Sequence, residues 1–397
     1  MLEYAFDKIT AEQALAIKAG DTLTFNGGPA RTVGVTYQSY DPLALLVSPE
    51  VPRIFVTYEG RTVAFSTDLV QLSKAGGLVM ADGSQLYIGD TAGDRFTAGA
   101  GDDGLYGGPG DDTLNGGDGR DLLQGNGDDD ILVGGAGSDT IYGGQGEDLI
   151  YTNRQDATVA DEQGDWAHGN LGDDEIVGGA GADTLLGGQG ADFVAGSDGN
   201  DYLSGDLGDD ELLAGQGADT LQGGGGNDQL NGGFGADLLN GGDGDDQLVS
   251  QGPEASTLNG GAGSDTLVTG GAGRDILSGG EGRDRFEIVA KTAPSAGVEA
   301  VVGDWEAGDQ IHFAAVSILS SSEILPRSYS EFVTSDYATA LSIANEHISA
   351  TGAIYVAAQV GNDVYVFADT GDPADGADVS ILLTGRTLAD IGLTNFV

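Results

Sequence analysis

GGPGDDTLNGGDGRDLLQ, residues 107–124, is one nine-residue unit written twice: paired glycines, a third glycine, an aspartate and one aliphatic residue. Written as GGxGxDxUx, with U a large aliphatic, the unit runs six times from 98 to 151, nine times from 169 to 249, and three more times from 260 to 287 with Thr269 inserted. Eighteen copies in frame do not arise by chance. Weaker copies extend the run: 89–97 keeps Asp94 and Phe96, 160–168 keeps Asp165, and 251–259 keeps Leu258 but carries Ser256 at the aspartate position.

The residue types dictate a coil. Three glycines permit a tight turn at positive φ, which costs any other residue energy, and the xUx triplet has room for one short strand. Two units make one coil, in which residues i and i+18 stack about 4.8 Å apart, the spacing of paired strands. Asp112, Asp130 and Asp148 then form one column, and Asp103, Asp121 and Asp139 another on the opposite edge. Leu105, Leu114, Leu123, Leu132, Ile141 and Ile150 point inward as core. One inward residue per unit makes a thin core, so metal must supply part of the stability.

Stacked carboxylates at this spacing repel by roughly 3 to 4 kcal/mol per neighbouring pair at an effective dielectric near 20. Calcium is the fitting counter-ion, because it accepts six to eight oxygens, backbone carbonyls included, and tolerates irregular geometry. Magnesium demands octahedral geometry, and zinc and copper want the His and Cys that this stretch lacks. The candidate ligands are Asp94, Asp103, Asp112, Asp121, Asp130, Asp139, Asp148, Asp165, Asp174, Asp183, Asp192, Asp201, Asp210, Asp219, Asp228, Asp237, Asp246, Asp265, Asp275 and Asp284. Ser256 is expected to interrupt the series, since a hydroxyl is a neutral, weaker ligand.

Charge follows the repeat. Of a net −49, residues 98–287 carry −34, and no Lys or Arg occurs between Arg154 and Arg274. Such a stretch repels phosphate and anionic membranes, which excludes nucleic acid as a partner. No Cys is present, so no disulfide staples the chain. The N-terminus lacks a cationic and an apolar region of the signal-peptide kind, and no window is apolar enough for a membrane span.

The nonapeptide is that of RTX proteins, and the resemblance covers roughly half the chain. It implies a parallel β-roll with calcium between successive turns, and export from a Gram-negative cell by a type I secretion apparatus that reads an uncleaved C-terminal signal. GDWEAGDQIHF (303–313) resembles the strand that closes many such rolls, and residues 353–397 resemble the tails of RTX surface proteins called bluetail proteins. The ending Asn395, Phe396, Val397 lacks the acidic residue of protease-type tails.

The expected fold is therefore all-β dominated: a calcium-binding parallel β-roll over 80–287, a small N-terminal α+β module over 1–79, and a β-rich cap with one helix over 288–397. In the module Thr10 and Gln13 form a capping box before a helix, Gly20 stops it, and RTVGVTYQ and RIFVTYEGRTVAF alternate as antiparallel strands do. In the cap, AIYVAAQV, DVYVFAD and DVSILLTG read as strands and Asp336–Ile348 as a helix.

Catalytic readings fail on the residues. His168, His312 and His347 are the only histidines and none begins HExxH; GxSxG is absent; the module has no His and is too short for the β-helix of an epimerase or lyase. The outward positions form no Thr ladder, which excludes ice binding, but one outward column, Val177, Ala195, Leu213, Asn231 and Val249, is mostly apolar and marks either a protein contact or a covered face. The expectation is a secreted, S-layer-like structural or cell-surface protein, with itself or a surface polysaccharide as candidate partner; an adhesin and a hydrolase with an unrecognised site are the alternatives.

Overall fold

The computed structural model describes residues 2–37, 53–153, 163–270, 273–289, 298, 300–306, 308–314, 329–351, 355–368, 379–391 and 395–396. The 154–159 part of the loop after the sixth unit and tail positions 369–378, 392–394 and 397 lie outside these. Two compact units divide the chain, Met1–Gly196 and Ser197–Val397.

The first unit opens with β1 (Glu3–Ala5), α1 (Ala11–Leu15), β2 (Thr22–Phe25), β3 (Gly34–Tyr37), β4 (Arg53–Tyr58), β5 (Arg61–Ser66), α2 (Asp68–Lys74) and β6 (Leu78–Met80). The capping box forms: Gln13 N–H donates to Thr10 Oγ1 at 3.2 Å and Thr10 N–H to Gln13 Oε1 at 2.9 Å. β3, β4 and β5 pair antiparallel. A second sheet, β1-β2-β6, is parallel and has no counterpart in the alternation pattern, because its strands are too short to show a period. Aromatic rings fill the space between the layers, with Phe6 stacked on Phe25 at 5.0 Å and Tyr58 edge-on to Phe25 at 5.2 Å.

From β7 (Leu86–Ile88) and β8 (Arg95–Thr97) onward the first unit is a parallel β-solenoid. Thr113 pairs with Ile131 and Leu122 with Thr140, a step of eighteen residues. Across residues 154–162 the step lengthens, Thr140 pairing with Trp166 and Leu149 with Glu175. The strands are six residues long, as in Thr113–Asp118, not the triplet expected, because pairing continues through the glycines: Gly117 lies opposite Gly135. Gly119 (φ 141°) shows why no side chain fits there, since a Cβ would stand 2.1 Å from the Gly101 carbonyl oxygen. Where the second glycine is lost, Asn126 and Asn170 hold positive φ and donate through Nδ2 to the carbonyls of Gln124 and His168.

The module sits on one outward face of this solenoid. Gly104 is bare because a Cβ there would lie 2.6 Å from the Ala30 carbonyl oxygen. Tyr106, two residues on, is buried in the module's core and donates its hydroxyl to the Val33 carbonyl, while Leu122 packs beside it.

The second unit is built in the same way, from Tyr202–Leu207 to Asp275–Gly282 on one sheet and from Glu211–Gln216 to Gln310–Ala314 on the other. Its closing strands reverse direction: Val379–Leu383 joins Ala300–Val302 in parallel, then Asp363–Ala368 and Tyr355–Val360 follow antiparallel. Helix α3 (Tyr337–Thr351) covers them through Ala340, Ala344 and Ile348. In each unit the aliphatic of every repeat is fully buried, as in Leu132 and Leu221. The apolar column from Val177 to Val249 is half-buried at every position. Apolar exposure falls instead at positions such as the residue after the aspartate, with Tyr202, Leu238 and Ile276 exposed by 39, 45 and 52%, and at Leu207 and Phe234.

Candidate metal-binding columns

Each turn delivers its aspartate to the same place, and the backbone decides what one of its oxygens does. Asp112 N–H donates to Asp130 Oδ1 at 2.8 Å, and Asp130 N–H to Asp148 Oδ1 at 2.9 Å. Asp94 precedes them, and Asp174 and Asp192 follow across the loop. On the opposite edge Asp103, Asp121, Asp139, Asp165 and Asp183 form the same ladder. The second unit holds Asp201, Asp219 and Asp237 in one column, and Asp210, Asp228, Asp246, Asp265 and Asp284 in the other. Sequence reading placed these residues in columns but missed the ladder, because nothing in a spacing says which oxygen faces a neighbouring amide.

In many rungs the second oxygen has no such donor. Oδ2 of Asp103, Asp112, Asp121, Asp130, Asp148, Asp174, Asp219, Asp228, Asp237, Asp246 and Asp265 is buried without a hydrogen bond. A buried carboxylate oxygen left in this way costs about 1–3 kcal/mol or more. Glycine makes room beside it: a Cβ on Gly116 would stand 2.2 Å from Asp121 Oδ2 and 2.6 Å from the Gly134 carbonyl oxygen, and one on Gly223 would stand 2.3 Å from Asp228 Oδ2 and 2.5 Å from the Gly241 oxygen. The two atoms nearest each of these positions are thus oxygens, one carboxylate and one carbonyl.

Burial is the main cause of the acidities, which neighbouring carboxylates reinforce. Asp112, Asp121, Asp228 and Asp265 are pushed up to about 7, and Asp130 and Asp174 to about 8. Asp148 and Asp237 rise to about 6. Asp103, Asp219, Asp246, Asp284 and Asp309 move in the same direction. A positive charge brought to the column would favour the ionised form of each.

The donor set fits a hard cation with oxygen ligands, as calcium is. Among the described residues no three His, Cys, Asp or Glu side chains converge. An ion here would draw on carboxylate and carbonyl together, which calcium coordination allows. His168 lies instead 5.9 Å from Trp166, which packs on Tyr142.

Ser256 keeps the ladder while losing the charge. Its Oγ accepts the Asp237 N–H at 3.1 Å and donates to the Gly235 carbonyl at 3.4 Å, and its own N–H reaches Asp275 Oδ1 at 2.9 Å. Two further acids were not anticipated. Asp309 is one more rung, accepting the Asp284 N–H at 3.1 Å on Oδ1 and the Glu306 N–H at 2.6 Å on Oδ2. Asp304 accepts from Ser278 Oγ and from the amides of Gly279 and Gly280. GDWEAGDQIHF contains both, but its irregular spacing hides the frame. A second, exposed ladder runs one residue before the first, in which Asp129 accepts the Glu147 N–H and Asp209 the Asn227 N–H.

The RTX calcium-binding nonapeptide repeat family matches this chain over residues 88–123, 124–159, 160–194, 186–221, 213–248 and 252–286. The chain is an RTX repeat protein. No curated protein matches it. Among solved structures, the R3 subunit of the mannuronan C5-epimerase AlgE6 from Azotobacter vinelandii is similar, at 26% identity over 48% of this chain and 78% of that one, with a TM-score of 0.26. The assignment of this RTX protein rests on its own repeats.

Proposed function

We propose that this RTX protein is a secreted structural or cell-surface protein, not an enzyme, whose coil winds around calcium held by the column aspartates from Asp103 to Asp284. The division into a module over 1–79, a roll over 80–287 and a cap over 288–397 belongs to the same reading. One observation carries it: rung after rung presents a buried Oδ2 with no hydrogen bond beside a glycine carbonyl. Repeat stacking accounts for the abundance of acids, which removes the reason to seek a carboxylate pair for hydrolysis.

Without metal, the repeat region combines its −34 charge with many glycines of high ordering cost and resembles a disordered chain. Cytosolic calcium is too scarce to fill sites resembling extracellular modules, of about 10⁻⁴ to 10⁻³ M. The chain would remain threadable through a narrow type I exporter and fold outside by mass action.

Circular dichroism of the purified chain in excess chelator tests this. The expected result is a steep, cooperative gain of β-structure on adding calcium, with magnesium far less effective; a solenoid that stays fully folded in chelator overturns it. Export is tested separately: deleting 353–397 is expected to retain the protein in the cell and deleting 1–79 is not. Secretion of the tail deletion would reject the signal assignment. Electron microscopy of the calcium-loaded protein reads self-assembly, with sheets or filaments expected for a surface layer.

A further inference from the structure

Helix α2 ends against the first turn of the solenoid. Ser73 Oγ accepts the Ile88 N–H at 2.8 Å, and the next residue, Lys74, sets its Nζ 2.8 Å from Asp90 Oδ2 and in contact with Asp94 Oδ1. Asp94 is the first rung of its column and, like the others, donates its N–H to the Oδ1 of the next, Asp112. Its carboxylate differs from those that follow. Oδ1 meets the lysine ammonium, and Oδ2 accepts the Asp90 N–H at 2.9 Å, whereas Oδ2 of Asp112, Asp130 and Asp148 has no hydrogen bond. The side chain of Asp94 is only 9% exposed, so its pairing is not that of a loose surface ion pair.

We propose that Lys74 is a built-in cation standing in for a bound ion at the first rung, so that α2 and the first turn form a metal-independent template for the rest of the coil. In a solenoid each turn contacts only its neighbours, so one turn held without metal relieves the next of nucleation. Charge balance agrees: Asp90 and Asp94 face an ammonium, whereas Oδ2 of Asp112, Asp130 and Asp148 is buried without a hydrogen bond. The inference rests on calcium-dependent winding, as proposed above.

Hydrogen exchange on the full chain tests it, with Lys74→Met and Lys74→Arg beside the wild type, in chelator and in calcium. In chelator the wild type is expected to protect residues 86–96 while strands from residue 131 onward exchange as unfolded chain. Lys74→Met is expected to exchange 86–96 at least roughly tenfold faster in chelator, the effect of losing a charge-assisted hydrogen bond. Calcium is expected to restore protection because the freed Asp90 and Asp94 then accept the ion, and Lys74→Arg is expected to behave as wild type. Equal protection of Lys74→Met and wild type in chelator overturns the proposal. Acceleration that calcium does not reverse also overturns it, because Lys74 would then serve the helix contact alone. Wild-type strands beyond 131 that stay protected in chelator reject the calcium-dependent winding itself, and the template with it.

Discussion

Two regions of the first unit bury comparable stretches of chain by opposite means. In the N-terminal module the interior is Phe6, Phe25, Tyr58 and Phe65, with Arg61 laid over the Phe6 ring and donating to the Phe6 and Ile9 carbonyls. In the solenoid beside it each nine-residue unit buries one aliphatic and one carboxylate. Large aromatic side chains each bury a large apolar area, so the module is held by packed side chains, Tyr106 of the solenoid among them. The solenoid differs, because turn after turn, as at Asp112, Asp130 and Asp148, adds a buried Oδ2 without a hydrogen bond. The contrast separates a region stabilised by what it contains from one stabilised by what it binds.

Acidity breaks the comparison most strongly, since many groups titrate together. The metal-free coil holds Asp112, Asp121, Asp130, Asp148 and Asp174 at about 6 to 8, above the roughly 3.9 of an unfolded aspartate. Between these values the folded state binds more protons, so its stability falls as pH rises. Protonation therefore favours the metal-free coil in full below about pH 4, and this contribution is lost as pH passes through 6 to 8. In chelator, β-structure should increase as pH is lowered from 8 to 5, while the module should not respond. In calcium the direction reverses, because protons compete for the same oxygens and more ion is needed at pH 6 than at pH 8. A circular dichroism signal in chelator that is flat across this range would show that the buried oxygens do not govern the coil.

A pair of core truncations gives the next largest effect. Phe25→Ala in the module should cost about 3–5 kcal/mol, and Leu132→Ala in the solenoid about 2–5 kcal/mol. Both side chains are essentially fully buried. The distinction lies in the readout. Phe25→Ala should speed hydrogen exchange over β4 and β5 equally with and without calcium. Leu132→Ala should instead raise the calcium concentration needed for winding. If Phe25→Ala is rescued by calcium as fully as Leu132→Ala, the two regions do not differ in the way described.

The sequence made the coil legible because its signal is repeated: eighteen copies fix the step between rungs, the inward aliphatic and the column of each aspartate. Thr10 and Gln13 announced α1 for a different reason, that a capping box is local chemistry. What stayed hidden depends on contacts between distant segments. The β1-β2-β6 sheet pairs strands of three or four residues. Gly104 is an ordinary outward position until Ala30 lies against it. Lys74 is one basic residue at a helix end, and its meaning comes from Asp90 and Asp94 being folded back onto it. Asp309 occupies a true rung at a spacing of twenty-five residues from Asp284, which no nine-residue frame reaches.

Ser256 offers the finest test, because it removes the charge from one rung and leaves the ladder standing. Ser256→Ala deletes the acceptor of the Asp237 N–H and the donor to Gly235, two bonds worth about 0.5–1.5 kcal/mol each. The cost should be nearly the same with and without calcium, since the hydroxyl is neutral and a poor ligand. Ser256→Asp keeps an acceptor for Asp237 and restores a carboxylate between Asp237 and Asp275. In chelator it should destabilise this part of the coil, adding one more buried charge; in calcium it should stabilise it and lower the midpoint of winding. The informative quantity is this change of sign, read by hydrogen exchange over Leu238–Asp243 and Thr257–Gly263. A Ser256→Asp effect of the same sign in both conditions would mean that this rung lacks the oxygens to complete a metal site.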